Sequence, residues 1–207
     1  MVTSAVERTI LFLDVDGPLI PFGPSSGPPR NSMPGDEGNP LLTRLTPETG
    51  RRLTALDCHL VWASTWLDEA NDTVAPRVGL PKLPVVTWPD VIADEGPRGL
   101  HWKTRHLVDW AAGRPFIWVD DEISDMDRLW VEAEHSGPSL LHRVDPSTGL
   151  LDADFTALVG WLDRLVDLLK AGDYEHAPRP SAKASGNGAP VLCHHVWCPQ
   201  AVEHTGV

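Results

Sequence analysis

An apolar run over residues 9–13 leads directly into Asp14-Val15-Asp16-Gly17. Such a run is typical of a parallel strand that is buried on both faces. Because side chains two residues apart point the same way in a strand, the two carboxylates lie together where the strand ends. With a metal cation nearby, one carboxylate can attack phosphorus while the other transfers the proton. The alternative is an exposed turn with two solvated aspartates.

Strand and helix signals alternate along the rest of the chain. Apolar runs predict strands over residues 9–15, 60–63, 84–88, 115–119 and 139–144. Helical spacing and capping residues predict helices from Thr46, over 68–78, 102–112 and 125–134, and from about Phe155 to near Gly172. This alternation predicts an α/β fold, a doubly wound parallel sheet in a Rossmann-like three-layer sandwich.

The composition divides the chain into a folded part and a tail. Residues 1–172 form the predicted domain, and residues 18–40 within it are predicted to be loop because Pro, Gly and Ser crowd them. Residues 173–207 are predicted to be a flexible tail rich in Pro, Ala and Gly. Cys193, Cys198 and His204 in this tail can ligate zinc, but their spacing matches no standard zinc pattern. Whether they bind a metal stays open.

The charge balance restricts the kinds of partner. The 17 Lys and Arg residues against 29 Asp and Glu residues give a formal net charge of −12. This balance argues against an extended basic surface for nucleic acids or anionic membranes, but it permits a phosphorylated substrate held through a metal ion. The chain shows no membrane-spanning run and no signal-peptide pattern, so we expect a cytoplasmic protein. Three cysteines do not make a disulfide framework.

Polar side chains follow three of the predicted strands, at the sheet edge where ligands bind in open α/β folds. They are Asp14 and Asp16 after the first strand, Ser64 and Thr65 after the second, and Asp120 and Asp121 after the fourth. Asp125 follows Asp121 by four residues. Together with Asp14, Asp121 and Asp125 can supply the oxygen ligands that Mg²⁺ prefers. Helix capping is the alternative role for Asp121 and Asp125.

Lys103 lies in the predicted first turn of the helix over 102–112, where a cation opposes the helix dipole. It shares a helical face with Leu107 and Trp110, and we expect that face to pack on the sheet. A lysine in this position needs an anion to bind. The alternative is a surface lysine whose stem passes over Trp102.

In this order, the motifs resemble those of the haloacid dehalogenase (HAD) superfamily of phosphohydrolases. The matching residues are the DxDG sequence at Asp14, the hydroxyl of Ser64, Lys103, and the acid pair Asp121 and Asp125. The resemblance covers roughly residues 9–170. Residues 62–66 together with Asn71, and residues 118–122, more narrowly resemble the HAD domain of Swiss Army Knife RNA repair proteins.

The resemblance implies a two-step phosphoryl transfer. Asp14 would attack phosphorus and form an aspartyl-phosphate, and Asp16 would protonate the leaving oxygen and later activate water. Mg²⁺ would bind Asp14, the main-chain carbonyl of Asp16 and Asp121, with Asp125 reached directly or through water. Lys103 and a hydroxyl, either Ser64 or Thr65, would hold the phosphoryl oxygens. Pro18 departs from the Thr or Val that is frequent in the superfamily, so the following turn can differ in shape.

In the superfamily that these motifs resemble, a cap domain inserted between motifs usually encloses small substrates. The first interval here is Pro- and Gly-rich loop and the second holds little beyond a helix and a strand of the core, so the resemblance implies a minimal cap domain or none, and an open site. An open site suits a nucleic-acid end, RNA or DNA, or a phosphoprotein; a nucleotide or sugar phosphate is the alternative substrate. A second alternative is a catalytically silent phosphate-binding module with the same fold. Trp62, Trp66 and Trp102 near the site could stack on bases, although core packing explains most tryptophans. The sequence identifies neither the substrate, the oligomeric state nor the pathway.

Overall fold

A computed structural model describes residues 9–24, 39–89 and 97–171 of the chain. The predicted tail over residues 173–207, with Cys193, Cys198 and His204, lies outside the described residues. Most of the predicted loop at residues 18–40 lies outside them as well. None of the helices in the described ranges has the length and apolar character needed to cross a membrane.

The described ranges contain four strands and five α-helices, with at least one helix between successive strands. The strands are β1 (Ile10–Leu13), β2 (His59–Trp62), β3 (Phe116–Asp120) and β4 (Ser139–Arg143). The helices are α1 (Pro47–Thr54), α2 (Ala75–Val78), α3 (Thr104–Ala111), α4 (Asp125–Glu134) and α5 (Asp152–Ala171). A 3₁₀ helix over Pro40–Arg44 precedes α1, and a π-helical turn over Ala70–Val74 leads into α2.

All strand pairs are parallel, and the strand order is β2-β1-β3-β4. Leu11 and Leu13 of β1 pack into one buried layer with α1, α2 and α5. Ile10 and Phe12 pack into a second buried layer with α3 and α4. Helices therefore cover both faces of the sheet, which confirms the predicted three-layer α/β sandwich.

The predicted strand over residues 84–88 is wrong. This segment makes a single bridge to β2, in which the Trp62 N–H donates to the Pro84 carbonyl and the Val86 N–H donates to the Trp62 carbonyl. Prolines at positions 81, 84 and 89 have no backbone N–H to donate, so a longer ladder cannot form here. The sheet consequently has four strands within the described residues, one fewer than predicted.

The predicted helix over residues 68–78 begins as the π-helical turn, and Asn71 in that turn ties it to β2. The Asn71 side-chain oxygen accepts hydrogen bonds from Trp62 Nε1 at 3.0 Å and from the Leu83 N–H at 2.8 Å. Its amide nitrogen donates to the Leu83 carbonyl at 2.9 Å and to Asp68 at 3.0 Å. One buried amide therefore joins the end of β2 to the segment that follows α2.

We predict that Asn71→Ala lowers the free energy of unfolding by about 2–4 kcal/mol, because the buried donors of Trp62 and Leu83 lose their acceptor. Chemical denaturation followed by far-UV circular dichroism measures this change. Asp72→Ala is the matched control, because its exposed ion pair with Lys82 contributes about 0–1 kcal/mol. Equal stabilities for the two variants would contradict the role given to Asn71.

Candidate active site

The chain reverses direction immediately after β1, in a turn that depends on Gly17. The Gly17 N–H donates to the Ile20 carbonyl at 3.1 Å, and the N–H groups of Leu19 and Ile20 both donate to the Val15 carbonyl at 3.0 Å. Gly17 has φ +81°, and a Cβ at this position would lie 2.5 Å from the carboxyl carbon of Asp121. Glycine therefore allows both the turn and the close approach of Asp121.

Lys103 is buried between two carboxylates at the carboxyl edge of the sheet. Its ammonium lies 2.8 Å from Asp14 Oδ2 and 2.8 Å from Asp120 Oδ2. The exposed fractions are 3% for Lys103, 7% for Asp14 and 0% for Asp120. Lys103 occupies the position just before the first residue of α3, because the helix begins at Thr104 and not at residue 102 as predicted. The anions that the lysine binds are thus supplied by β1 and β3.

Sequence reasoning assigns Asp120 no role beyond its place at the end of a predicted strand. Leu13 of β1 pairs with Val119 of β3, and this register puts Asp14 beside Asp120. Trp118 Nε1 donates to Asp120 Oδ2 at 3.1 Å, and the Glu122 N–H donates to Asp120 Oδ1 at 2.9 Å. Asp120 is therefore the buried counter-ion of Lys103, a role that only the register between β1 and β3 reveals.

Three carboxylates converge closely enough to hold a metal ion. Asp14, Asp120 and Asp121 each offer an oxygen, and these oxygens all lie within 4.8 Å of one another. Carboxylate oxygens are the ligands that hard divalent cations take, so the donor set fits such a cation. Asp16 and Asp125 do not belong to this group. Asp125 is an exposed residue at the first position of α4.

Asp16 and the hydroxyls after β2 differ in exposure. Asp16 is half-buried, and its Oδ2 accepts a hydrogen bond from Trp66 Nε1 at 2.9 Å. Ser64 is fully buried and its hydroxyl lowers the pKa of Asp14, whereas Thr65 is exposed. Of the two candidate hydroxyls, Ser64 is the one that the structure brings to Asp14.

Burial governs the protonation of the site. It raises the pKa of Asp14 to about 7, and the nearby charge of Asp120 adds to this effect while Lys103 opposes it. Burial disfavours the Lys103 ammonium, but the charges of Asp14 and Asp120 outweigh that cost and raise its pKa. Burial and the charge of Asp120 also raise the pKa of Asp121. The lysine stays charged, and a cation beside Asp14 would favour the ionised carboxylate.

The tryptophans near the site have different surroundings. Trp62 is fully buried, so core packing explains it. Trp66 and Trp102 are half-buried, and Trp66 contacts Asp16 directly. Trp88 donates from Nε1 to the Ser64 carbonyl at 3.0 Å and packs edge-on against Trp102 at 4.8 Å between ring centroids. The indoles of Trp66 and Trp88 therefore hold backbone and side-chain groups of the site.

Comparison with models of known protein families finds a match to one family. The family model described as "HAD domain in Swiss Army Knife RNA repair proteins" matches residues 10–155. The matched region includes β1 to β4 and every residue of the site described above. No curated protein and no solved structure matches the chain.

We predict that Asp14→Asn stabilises the metal-free protein at alkaline pH. The folded-state pKa of about 7 exceeds the ordinary value of 3.8, so the stability linked to Asp14 is complete at low pH and is lost as pH rises through about 7. Since one pKa unit corresponds to about 1.4 kcal/mol, we expect the variant to gain a few kcal/mol near pH ~8.5. Asp120 remains as a partner for Lys103 in this variant.

Thermal unfolding in EDTA across pH measures this effect. The stability gap between Asp14→Asn and the wild type should narrow as pH falls towards about 4. Asp72→Asn, at an exposed position, is the control and should follow the wild-type curve. A gap that is independent of pH would show that packing, and not the charge of Asp14, separates the two proteins.

Proposed function

The chain belongs to the family of HAD domains found in Swiss Army Knife RNA repair proteins, and from this premise we propose that it is a Mg²⁺-dependent phosphomonoester hydrolase. The observation that carries the proposal is the buried contact of Lys103 with Asp14, beside the converging carboxylates of Asp120 and Asp121. A buried nucleophile next to a fixed cation and a set of hard oxygen ligands suits the transfer of a phosphoryl dianion.

Asp14 is the proposed nucleophile. Its carboxylate oxygen attacks phosphorus, the bond from phosphorus to the leaving oxygen breaks, and an aspartyl-phosphate forms on Asp14. Lys103 and Ser64 contact Asp14, so both donors lie where the phosphoryl oxygens arrive. Asp14, Asp121 and the main-chain carbonyl of Asp16 would hold Mg²⁺, with Asp125 reached directly or through water. Bound Mg²⁺ would neutralise charge on the carboxylates and the phosphoryl group.

Asp16 is the proposed general acid and base. It gives a proton to the leaving oxygen in the first step, and it takes a proton from water in the second. That water attacks phosphorus, breaks the bond to Asp14 and releases inorganic phosphate. The half-exposed side chain of Asp16 can exchange protons with solvent, and its bond from Trp66 Nε1 fixes its direction.

We predict that Lys103→Ala lowers kcat for p-nitrophenyl phosphate by about 10²–10³, because one preorganised charge is lost from the transition state. Lys103→Arg should restore little of the lost kcat, since a planar guanidinium does not fit the space of a compact ammonium between two carboxylates. Asp14→Asn lacks the proposed nucleophile and should show no turnover. Lys82→Ala removes the same charge from an exposed position and should keep wild-type kcat.

Steady-state assays with Mg²⁺, together with the melting temperature of each variant, separate loss of chemistry from loss of fold. Near-wild-type turnover by Lys103→Ala would remove the lysine from the mechanism. Turnover by Asp14→Asn equal to the wild type would refute the proposed nucleophile. A wild-type protein that binds phosphate without turning over any phosphomonoester would support the silent binding module instead.

We propose a nucleic-acid end as the substrate. The part of the interval between β2 and β3 that the structure describes holds the π-helical turn, α2 and α3, and no further sheet that could act as a cap. Arg143 ends β4 at the same edge as Asp120, with which it pairs in register. Its Nε donates to the Asp121 carbonyl at 2.9 Å, and the side chain is exposed. A guanidinium held this way suits a second phosphate, such as the next phosphodiester of a strand.

We predict that Arg143→Ala lowers kcat/KM for a terminally phosphorylated dinucleotide about tenfold more than for p-nitrophenyl phosphate, because only the dinucleotide carries a second phosphate. Both the 3′-phosphorylated and the 5′-phosphorylated dinucleotide are assayed. Arg164→Ala on the exposed side of α5 removes the same charge and should leave this ratio unchanged. Equal losses for both substrates would favour the alternative, a nucleotide or sugar phosphate with no second anchored phosphate.

A further inference from the structure

Asp127 is a fully buried carboxylate that the proposed chemistry does not use. It occupies the third position of α4, where its Oδ2 accepts from the Ser124 N–H at 2.8 Å and from the Ser124 hydroxyl at 2.6 Å. Its Oδ1 accepts from the His101 N–H at 2.7 Å and from the Thr104 hydroxyl at 2.5 Å. The first pair of bonds caps α4, whereas the second pair reaches residues more than twenty positions earlier in the chain.

Both residues on the Oδ1 side flank Lys103. His101 lies two positions before the lysine, and Thr104 follows it as the first residue of α3. The His101 ring also accepts a hydrogen bond from the Lys103 N–H at 3.2 Å. One carboxylate oxygen therefore binds the main chain of His101 before Lys103 and the side chain of Thr104 after it. Lys103 itself provides no side-chain cap for α3, so Asp127 also supplies the negative charge that the N-terminus of α3 prefers.

Each oxygen of Asp127 contacts a different segment that leads to the site. The Oδ2 side holds Ser124, which follows Asp120 and Asp121 at the end of β3. The Oδ1 side holds the turn that carries Lys103. A lysine side chain has a long flexible stem, so the position of its ammonium depends on how firmly its main chain is held. We propose that Asp127 is a positioning residue, which sets the Lys103 ammonium against Asp14 and Asp120.

The kinetic test depends on the proposed phosphatase activity. Asp127→Asn should lower kcat/KM for p-nitrophenyl phosphate by about 10- to 100-fold, since small misplacements of a catalytic group have effects of this size. In a Lys103→Ala background the same change should lower it no further, because Asp127 acts through the lysine. A purely structural role predicts the same fractional loss in both backgrounds, and that result would overturn the proposal.

Asp154→Asn is the matched control. Asp154 also accepts a main-chain hydrogen bond at the start of a helix, from the Leu151 N–H at 2.7 Å, but α5 carries none of the proposed site residues. We expect Asp154→Asn to lower the melting temperature and to keep wild-type kcat/KM. If Asp127→Asn does not fold, Thr104→Val and Ser124→Ala separate the two sides of the carboxylate. Thr104→Val should then lower kcat more than Ser124→Ala does, and the opposite order would contradict the proposal.

A second readout does not depend on catalysis. Acetylation of lysines by acetic anhydride, followed by mass spectrometry, reports the exposure of each amine, and the exposed Lys82 and Lys170 act as internal references. Lys103 should be acetylated at least tenfold faster in Asp127→Asn than in Asp154→Asn. Equal Lys103 rates in these two variants would refute the positioning role, whether or not the protein turns over phosphate. A change in labelling without any wild-type turnover would support the positioning role and reject the proposed function.

Discussion

The site depends on one buried cation that two carboxylates share. The register between β1 and β3 brings Asp14 and Asp120 together in the interior, where two unpaired negative charges would strongly oppose folding. The Lys103 ammonium, 2.8 Å from each, neutralises that repulsion and satisfies both groups. The central strand pair and the candidate nucleophile are thus stabilised by the same contact, so changes to Lys103 affect folding and chemistry together.

Around this cation, buried groups and half-buried groups stand side by side at the ends of the same strands. Asp14, Ser64 and Asp120 are buried at the ends of strands, where the sheet fixes their positions. Asp121, which follows β3 directly, and Asp16, in the turn after β1, are only half-buried. A reaction that needs a fixed nucleophile and a mobile proton suits this division, because proton exchange requires contact with solvent. The absence of a side chain at Gly17 lets the two sets of groups approach each other.

Much of the fold follows from local sequence, whereas the partners in the site do not. Continuous apolar runs identify β1 and β3, and the polar residues after them identify the functional edge of the sheet. The role of Asp120 depends on a register between strands about 100 residues apart, which no local pattern encodes. The segment over 84–88 has the apolar content of a strand, but its prolines prevent a ladder. α3 begins at Thr104, two residues later than predicted, and the residues around this start hydrogen-bond to Asp127 of α4, a contact that local spacing does not encode.

The pairing of β1 with β3 also constrains the order of events during folding. Ile10 pairs with Phe116, so β1 cannot complete its pairing before β3 is available. Pairing between such distant segments requires closure of a long loop, which makes parallel sheets slow to form. Until β3 arrives, the carboxylate of Asp14 lacks the burial that pairing with β3 provides. During synthesis on the ribosome, the Asp14 carboxylate at the end of β1 therefore stays hydrated until β3 has been made.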